Sequence, residues 1–189
     1  MVGYAVGLLV SMNVAASSQT YTLTIEQRQL ALDVLKLAPT PLGVKREDRV
    51  EIGEIVAVPN KAVAANGAPA VIAQVKAFNY TRGLAVISTV NISDRSMVAA
   101  HTSANLTVPL SDEEESVASK IVRDDGGLRA KYGEALQNFE LEYLPFVRPS
   151  IEKGQSARLV RILMKDGQRY VKGHPTLVVD LVRETLETE

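Results

Sequence analysis

Three Asn-x-Ser/Thr sequons are the clearest chemical signals in the sequence. They are Asn79-Tyr80-Thr81, Asn91-Ile92-Ser93 and Asn105-Leu106-Thr107, whereas ordinary residue usage would give roughly one in a chain of this length. Asn79 lies in a predicted hairpin turn, Asn91 points away from the apolar face of a predicted strand, and Asn105 sits in a polar stretch. We therefore predict that Asn79, Asn91 and Asn105 can each carry a glycan without disturbing a core.

Groups that could perform catalysis or bind a metal are sparse. The two histidines, His101 and His174, are far apart, and the chain has no cysteine. The acidic run 112–115 opens a predicted helix, where carboxylates favour the positive end of the helix dipole. Arg158 and Arg161 fall on opposite faces of a predicted strand. We accordingly assign no catalytic, cofactor-binding or metal-ligating residue.

The composition is that of an ordinary globular protein. Apolar residues make up 46% of the chain, charged residues 23%, and the formal net charge is −1. This charge, with no basic run, gives no reason to expect nucleic acid or an anionic membrane as a partner. With no tryptophan and nine tyrosines and phenylalanines in total, stacking platforms for bases are not expected either.

The first 18 residues resemble a secretory leader. An apolar run, Tyr4 to Val10, precedes the small residues 14–17, in the order of a signal peptide's hydrophobic and cleavage regions. The positively charged start is missing, and the alternatives are a buried strand or a disordered end. The leader and the sequons together predict a secreted, extracellular glycoprotein.

Two segments, residues 23–36 and 110–123, repeat the same helical pattern. Each begins with a capping box, Thr24 with Gln27 and Ser111 with Glu114, and continues with apolar residues at helical spacing. A short further helix is expected from Leu128 to Gln137. We interpret the two segments as the opening helices of an internal repeat.

A set of strand-like runs follows each helix, with a strong hairpin signal at Lys165-Asp166-Gly167. The runs cover 49–58, 70–78, 84–93 and 96–103 in the first half, and 139–147, 157–164, 168–173 and 176–182 in the second. This pattern predicts an α+β fold of two units, 22–108 and 109–189, each a helix on a roughly four-stranded antiparallel sheet. The second unit looks truncated, because the sequence ends where the partner of run 96–103 would begin.

Several stretches, in order, resemble the second and third amino-terminal domains of copper amine oxidases. They are "LTIEQRQLALDVLK" (23–36), "RVEIGEIVAVPNKA" (49–62), "PLSDEEESVASKIVRDD" (109–125) and "ARLVRILMKDGQRYVKGHPTLVVDLV" (157–182). The resemblance spans roughly residues 22–189. It implies a tandem pair of cystatin-like units with a peripheral, non-catalytic role, packed in cis or in trans on a catalytic β-sandwich that binds copper and topaquinone.

The family's catalytic features do not match this sequence. The quinone-forming tyrosine sits in Thr-x-x-Asn-Tyr-Asp/Glu, whereas Asn79-Tyr80 is preceded by Lys76 at the threonine position and followed by Thr81. Copper is held there by three histidines, and only two are present here. The resemblance therefore implies a chain that is not an enzyme by itself and carries no cofactor.

A free-standing cystatin-like binding or protease-inhibitor module is the alternative. The stretch Gln74 to Phe78 is similar to the Gln-x-Val-x-Gly wedge of cystatin-type inhibitors, but it has Lys76 in place of valine and Phe78 in place of glycine. A structural hairpin explains the same residues.

Overall fold

The computed structural model describes residues 22–37, 45, 47–149, 156–173 and 176–188. The predicted leader, residues 1–18, and His174 lie outside these ranges. The described residues form a mixed α/β structure with two antiparallel sheets of four and five strands. The helices of each half of the sequence precede the strands of that half.

Within the described residues, the first half has one helix and a four-stranded meander. Its elements are α1 (Ile25–Leu37), β1 (Val50–Ala57), β2 (Ile72–Asn79), β3 (Leu84–Asn91) and β4 (Ser96–Ser103), paired in the order β1-β2-β3-β4. The expected strand limits agree with these bounds to within two residues.

In the second half, the residues that the structure describes form three helices and five strands. They are α2 (Asp112–Asp124), α3 (Gly126–Tyr132), α4 (Ala135–Asn138), β5 (Glu140–Pro149), β6 (Ser156–Asp166), β7 (Arg169–Tyr170), β8 (Leu177–Asp180) and β9 (Thr185–Thr188). The strands are ordered β5-β6-β8-β9, with the two-residue β7 paired to β6 at its hairpin.

Two details of the expected second half are corrected. The single helix predicted from Leu128 to Gln137 is two short helices, because Gly133 adopts a positive φ of 56° between them. The second unit was expected to lack its last strand, and this expectation is wrong. Residues Thr185–Thr188 form β9, which pairs antiparallel with β8 and occupies the place that β4 holds in the first sheet.

Local sequence explains why α1 and α2 begin where they do. Thr24 and Gln27 exchange both capping-box bonds, with N–H to Oε1 at 2.9 Å and N–H to Oγ1 at 3.2 Å. Ser111 and Glu114 exchange the equivalent pair at 2.9 and 3.1 Å. Each box supplies partners to amide groups that have none within the helix, so both predicted caps are confirmed.

Each helix buries one apolar stripe against its own sheet. In the first half, Ala31 and Val34 of α1 pack with Ala73, Val75 and Val90. In the second half, the buried core is larger and is built from α2, α3, α4, β6 and β8 with the residue that follows β8: Ala118, Val122, Leu128, Leu136, Val160, Ile162, Met164, Leu177, Val179 and Leu181.

The connection from β4 to α2 crosses the edge of the first sheet in close contact with Gly53. Val108 in this connection is fully buried. A Cβ placed on Gly53 would lie 1.9 Å from the Pro109 carbonyl oxygen and 2.9 Å from a Val108 methyl carbon. Glycine is therefore required at this position of β1, where the pairing with β2 also shifts register between Ile52 and Glu54.

We expect Gly53→Ala to destabilise the protein by about 2–3 kcal/mol, because the added methyl group must displace backbone rather than a flexible side chain. Gly126→Ala is the matched control, since its Cβ would meet nothing within 4 Å. The control should change the free energy of unfolding by no more than about 0.5 kcal/mol. Urea denaturation of the two variants measures both, and equal losses would contradict the close approach at Gly53.

Candidate functional site at the junction of the two halves

A buried ion pair lies where the two halves of the chain meet. The guanidinium of Arg158, on β6, binds the carboxylate of Glu114, on α2, through two parallel bonds: Nε to Oε1 and Nη2 to Oε2, both 3.0 Å. Arg158 is 0% exposed and Glu114 3%. Such bidentate pairing fixes both the distance and the plane of the two groups.

Arg158 also binds the connection between the halves. Its Nη1 donates to the Val108 carbonyl oxygen at 2.6 Å, and its Nη2 donates to the Pro109 carbonyl oxygen at 2.9 Å. Its guanidinium carbon lies 5.2 Å from the centre of the Phe78 ring on β2. One side chain of the second sheet therefore holds both the connecting segment and a core residue of the first sheet.

Tyr80 brings the first half into the same network. Its hydroxyl donates to Glu114 Oε1 at 2.6 Å, and its ring packs edge-on against Phe78 with 5.2 Å between centroids. The guanidinium of Arg49 lies 4.4 Å from the centroid of the Tyr80 ring. We call Tyr80, Glu114 and Arg158 the junction cluster.

Glu114 is the shared acceptor of the junction cluster. Oε1 accepts from Tyr80 and Arg158, and Oε2 accepts from Arg158 and from the Ser111 backbone N–H. The carboxylate thus accepts four hydrogen bonds at the amino-terminal end of α2. These four bonds, three of them from the two distant side chains of Tyr80 and Arg158, replace the water that the charge loses on burial.

The ionisation of the cluster follows from this geometry. Burial alone raises the pKa of Glu114, but the hydrogen bonds and charge of Arg158, with smaller effects of Tyr80 and Ser111, lower it below its ordinary value. The pKa of the Tyr80 phenol is raised far above its ordinary value. Burial is the largest cause, followed by the hydrogen bond to Glu114 and the negative charge of that carboxylate. The cluster therefore holds a carboxylate, a guanidinium and a neutral phenol at neutral pH.

The junction cluster leaves little open space around its polar groups. The cavity beside the cluster, lined by Arg49, Tyr80, Glu114 and Leu181 among others, has a volume of about 10 Å³, enough for a single water at most. Every polar atom of the three side chains is engaged within the protein.

The structure also locates the residues considered for metal or quinone chemistry. The Tyr80 phenol is directed at Glu114, and His101 is exposed on β4. Over the described ranges, no group of three or more histidine, aspartate or glutamate side chains is placed to hold a metal ion. The four acidic residues 112–115 diverge, since Glu114 is buried in the junction cluster while Asp112 and Glu113 are exposed.

The three sequon asparagines lie in different environments. Asn105 is exposed and Asn91 is half-buried. The expectation for Asn79 is corrected: this residue ends β2, is 0% exposed, donates from Nδ2 to Asp48 at 2.8 Å and accepts from the Arg82 N–H. A glycan on Nδ2 would occupy the space that Asp48 fills, so it conflicts with the folded state.

The stretch Gln74 to Phe78 lies in the middle of β2, between β1 and β3. The hairpin tip is Tyr80 to Gly83, where Gly83 has the positive φ of 63° that the turn requires. Val75 is 2% exposed and Phe78 0%. These residues therefore do not form a projecting wedge.

Sequence reasoning did not find the Glu114–Arg158 pair. Arg158 shares strand parity with Val160, Ile162 and Met164, which are all buried. The sequence does contain one indication of this pair, an arginine at an inward position of an apolar strand. A charge at such a position needs a buried partner. Nothing local marks Glu114, 44 residues away, as that partner.

We expect Arg158→Met to destabilise the protein by about 3–5 kcal/mol, because it leaves the Glu114 carboxylate buried without its counter-charge. Arg161→Met is the matched control on the same strand. Arg161 is exposed, so its substitution should cost no more than about 0.5 kcal/mol. Chemical denaturation at neutral pH compares the two variants.

The loss in free energy of unfolding caused by Arg158→Met should also depend on pH. In the native protein the depressed pKa of Glu114 stabilises the fold above the unfolded-state pKa of a glutamate, about 4.3, and this contribution disappears as the pH falls through the folded-state pKa. Without Arg158, burial raises the pKa of Glu114, so a falling pH stabilises the variant. The loss should shrink from pH 7 toward about pH 4, and a constant loss would exclude Glu114 as the partner of Arg158.

Among the described residues, no helix is both long and apolar enough to cross a lipid bilayer. No model of a known protein family matches the sequence, and no curated protein matches it either.

Proposed function

We propose that this chain is a non-catalytic amino-terminal region, or a separate accessory chain, of a secreted copper- and topaquinone-dependent primary amine oxidase. In this proposal the two halves are cystatin-like units, and they pack on a catalytic β-sandwich in cis or in trans, where they shape access to it. The observation that carries the proposal is the repeated order of a capped helix followed by an antiparallel meander. Of the stretches that resemble the family, 23–36 and 109–125 cover the opening helices of the two halves, α1 and α2.

The junction cluster supports a positioning role. Its buried charge pair binds the connection between the halves and a tyrosine of the first half at once. Rotating one half against the other would separate these partners and leave charges unpaired in the interior. Two units held in this way present one defined surface to a neighbouring domain.

The alternative, a cystatin-like inhibitor, receives less support from the geometry. Its characteristic contact is a hairpin tip that enters a protease cleft, whereas Gln74 to Phe78 is a central strand segment with Phe78 fully buried. A binding module that uses another surface stays an alternative.

The coding sequence that follows the codon for Glu189 tests the cis form of the proposal. A β-sandwich containing His-x-His and Thr-x-x-Asn-Tyr-Asp/Glu is expected there. A stop codon would exclude the cis form. For the accessory form, such a catalytic domain must be encoded elsewhere in the same genome and must co-elute with this chain in size-exclusion chromatography.

The chain alone, supplied with copper, should release no hydrogen peroxide from primary amines, because only two histidines occur in it and the Tyr80 phenol is bound to Glu114. An authentic copper amine oxidase is the positive control. Amine-dependent peroxide release that is lost in Tyr80→Phe would show that Tyr80 is a cofactor precursor and would overturn the non-catalytic assignment.

Secretion and glycosylation are part of the same proposal, and the environments of the sequons make the expected pattern specific. Expression in a glycosylating eukaryotic cell should give a secreted chain whose mass falls on treatment with an N-glycosidase. Asn105→Gln should remove a glycan, since Asn105 is exposed, whereas Asn79→Gln should leave the glycan mass unchanged because Asn79 is 0% exposed. An unglycosylated chain retained in the cell would contradict secretion.

A further inference from the structure

The loop between β1 and β2 holds an asparagine followed by a glycine, Asn66-Gly67. Both residues are exposed, and Gly67 has a φ of 80° with nothing within 4 Å of the position a Cβ would take. Gly67 therefore places no side chain of its own beside its backbone nitrogen. Asn66 is the one asparagine in the sequence that precedes a glycine.

The carbonyl group of the Asn66 side chain is activated by the fold. Its Oδ1 accepts a hydrogen bond from the Ala68 backbone N–H at 3.0 Å. A donor on this oxygen draws electron density from Cγ and stabilises the negative charge that develops on the oxygen when a nucleophile adds. The turn is held in this conformation by two bonds, from Gly67 N–H to the Ala64 carbonyl and from Ala64 N–H to the Ala68 carbonyl, both 2.8 Å.

We propose that Asn66-Gly67 is a site of spontaneous, self-catalysed deamidation. The hydrogen bond from the Gly67 N–H to the Ala64 carbonyl first opens. The Gly67 backbone nitrogen then loses its proton to solvent and adds to Asn66 Cγ, and the bond from Cγ to Nδ2 breaks as Nδ2 takes up a proton. The side-chain nitrogen leaves as ammonia, and a five-membered succinimide remains. Water opens this ring at either carbonyl, which yields aspartate or isoaspartate. The net change is the addition of one water and the release of one ammonia.

The modification changes the charge of the loop and, in the isoaspartate product, the length of its backbone. It adds one negative charge to a chain whose formal net charge is −1. The neighbouring residue Ala65 donates its N–H to Asp94 Oδ1 at 3.0 Å, so the new carboxylate arises beside an existing contact to a carboxylate. Isoaspartate also inserts a methylene into the backbone of a turn closed by the Ala64–Ala68 bond. Both changes loosen the attachment of this loop to the turn between β3 and β4.

The same loop contains an internal control. Asn60 Oδ1 accepts from the Ala62 N–H at 2.9 Å, the same contact that Asn66 makes, but the next residue is Lys61. The Asn60 Nδ2 also donates to the Val58 and Ala70 carbonyls at 3.1 and 3.3 Å. At this site the Lys61 side chain hinders the backbone nitrogen that would attack. The Asn60 Nδ2, which would leave, is held by these two hydrogen bonds. Asn60 should therefore stay intact under conditions that convert Asn66.

The test is incubation of the folded full-length chain in mildly alkaline buffer, followed by peptide mass spectrometry and isoaspartate detection with an isoaspartyl methyltransferase. The peptide containing Asn66 should gain about 1 Da, with isoaspartate present, and an acidic species should grow in isoelectric focusing. The rate should rise with pH, because the attacking amide must lose its proton. The peptide containing Asn60 should not change.

Asn66→Gln is the matched variant, because its attack would need a six-membered ring and should be at least about ten times slower at the same folded turn. An unchanged Asn66 peptide after incubation would overturn the proposal. So would an acidic species that grows equally in Asn66→Gln, or equal conversion of Asn60 and Asn66.

Discussion

The buried pairing of Glu114 with Arg158 is the interaction on which the arrangement of the two halves depends. Removing two charges from water costs several kcal/mol for each ion. This cost is offset only where each group finds good partners in the interior. Glu114 accepts four hydrogen bonds, and Arg158 donates to both carboxylate oxygens and to two backbone carbonyls. These donors and acceptors come together only when both sheets and the connecting segment are in place.

Glu114 combines a local role with a long-range one. As the third residue of α2 it completes the capping box with Ser111, and this contact sets where the helix begins. The same carboxylate binds Arg158 and Tyr80, so the start of α2 is tied directly to the second sheet and to the end of β2. Gly53 contributes by leaving room for the Val108–Pro109 segment, whose carbonyls Arg158 then binds. Helix capping, strand geometry and the ion pair therefore depend on one another.

A rigid connection of this kind suits a pair of units that acts by its shape. In the proposed assignment, the chain contributes surfaces to a catalytic domain and performs no chemistry of its own. The loop that contains Asn66-Gly67 lies between β1 and β2, apart from the junction cluster in the sequence. Its chemistry can change one exposed turn without breaking the contacts that hold the halves together.

Local patterns were sufficient to predict much of the fold. The two capping boxes, the eight-residue strands of the first sheet and the hairpin at Lys165-Asp166-Gly167 all depend on residues close together in sequence, and all are found in the structure. The alternation of side chains along β6 placed Arg158 and Arg161 on opposite faces, as their different burial confirms. The existence of β9 was missed because a four-residue edge strand has too little pattern to be recognised.

The tertiary structure alone decided the environments of the chemically interesting residues. Asn79 looked like an open turn residue, yet it is buried because Asp48 and Arg82, from outside β2, pack against its amide. The Gln74 to Phe78 stretch resembled an inhibitor wedge, yet Val75 and Phe78 within it are buried in the folded protein. Glu114 was recognised from sequence as a helix-capping residue, but its burial and its pairing with Arg158 were not. Capping, alternation and turns are encoded by neighbours in the sequence, whereas burial and ion pairing depend on partners that only folding brings close.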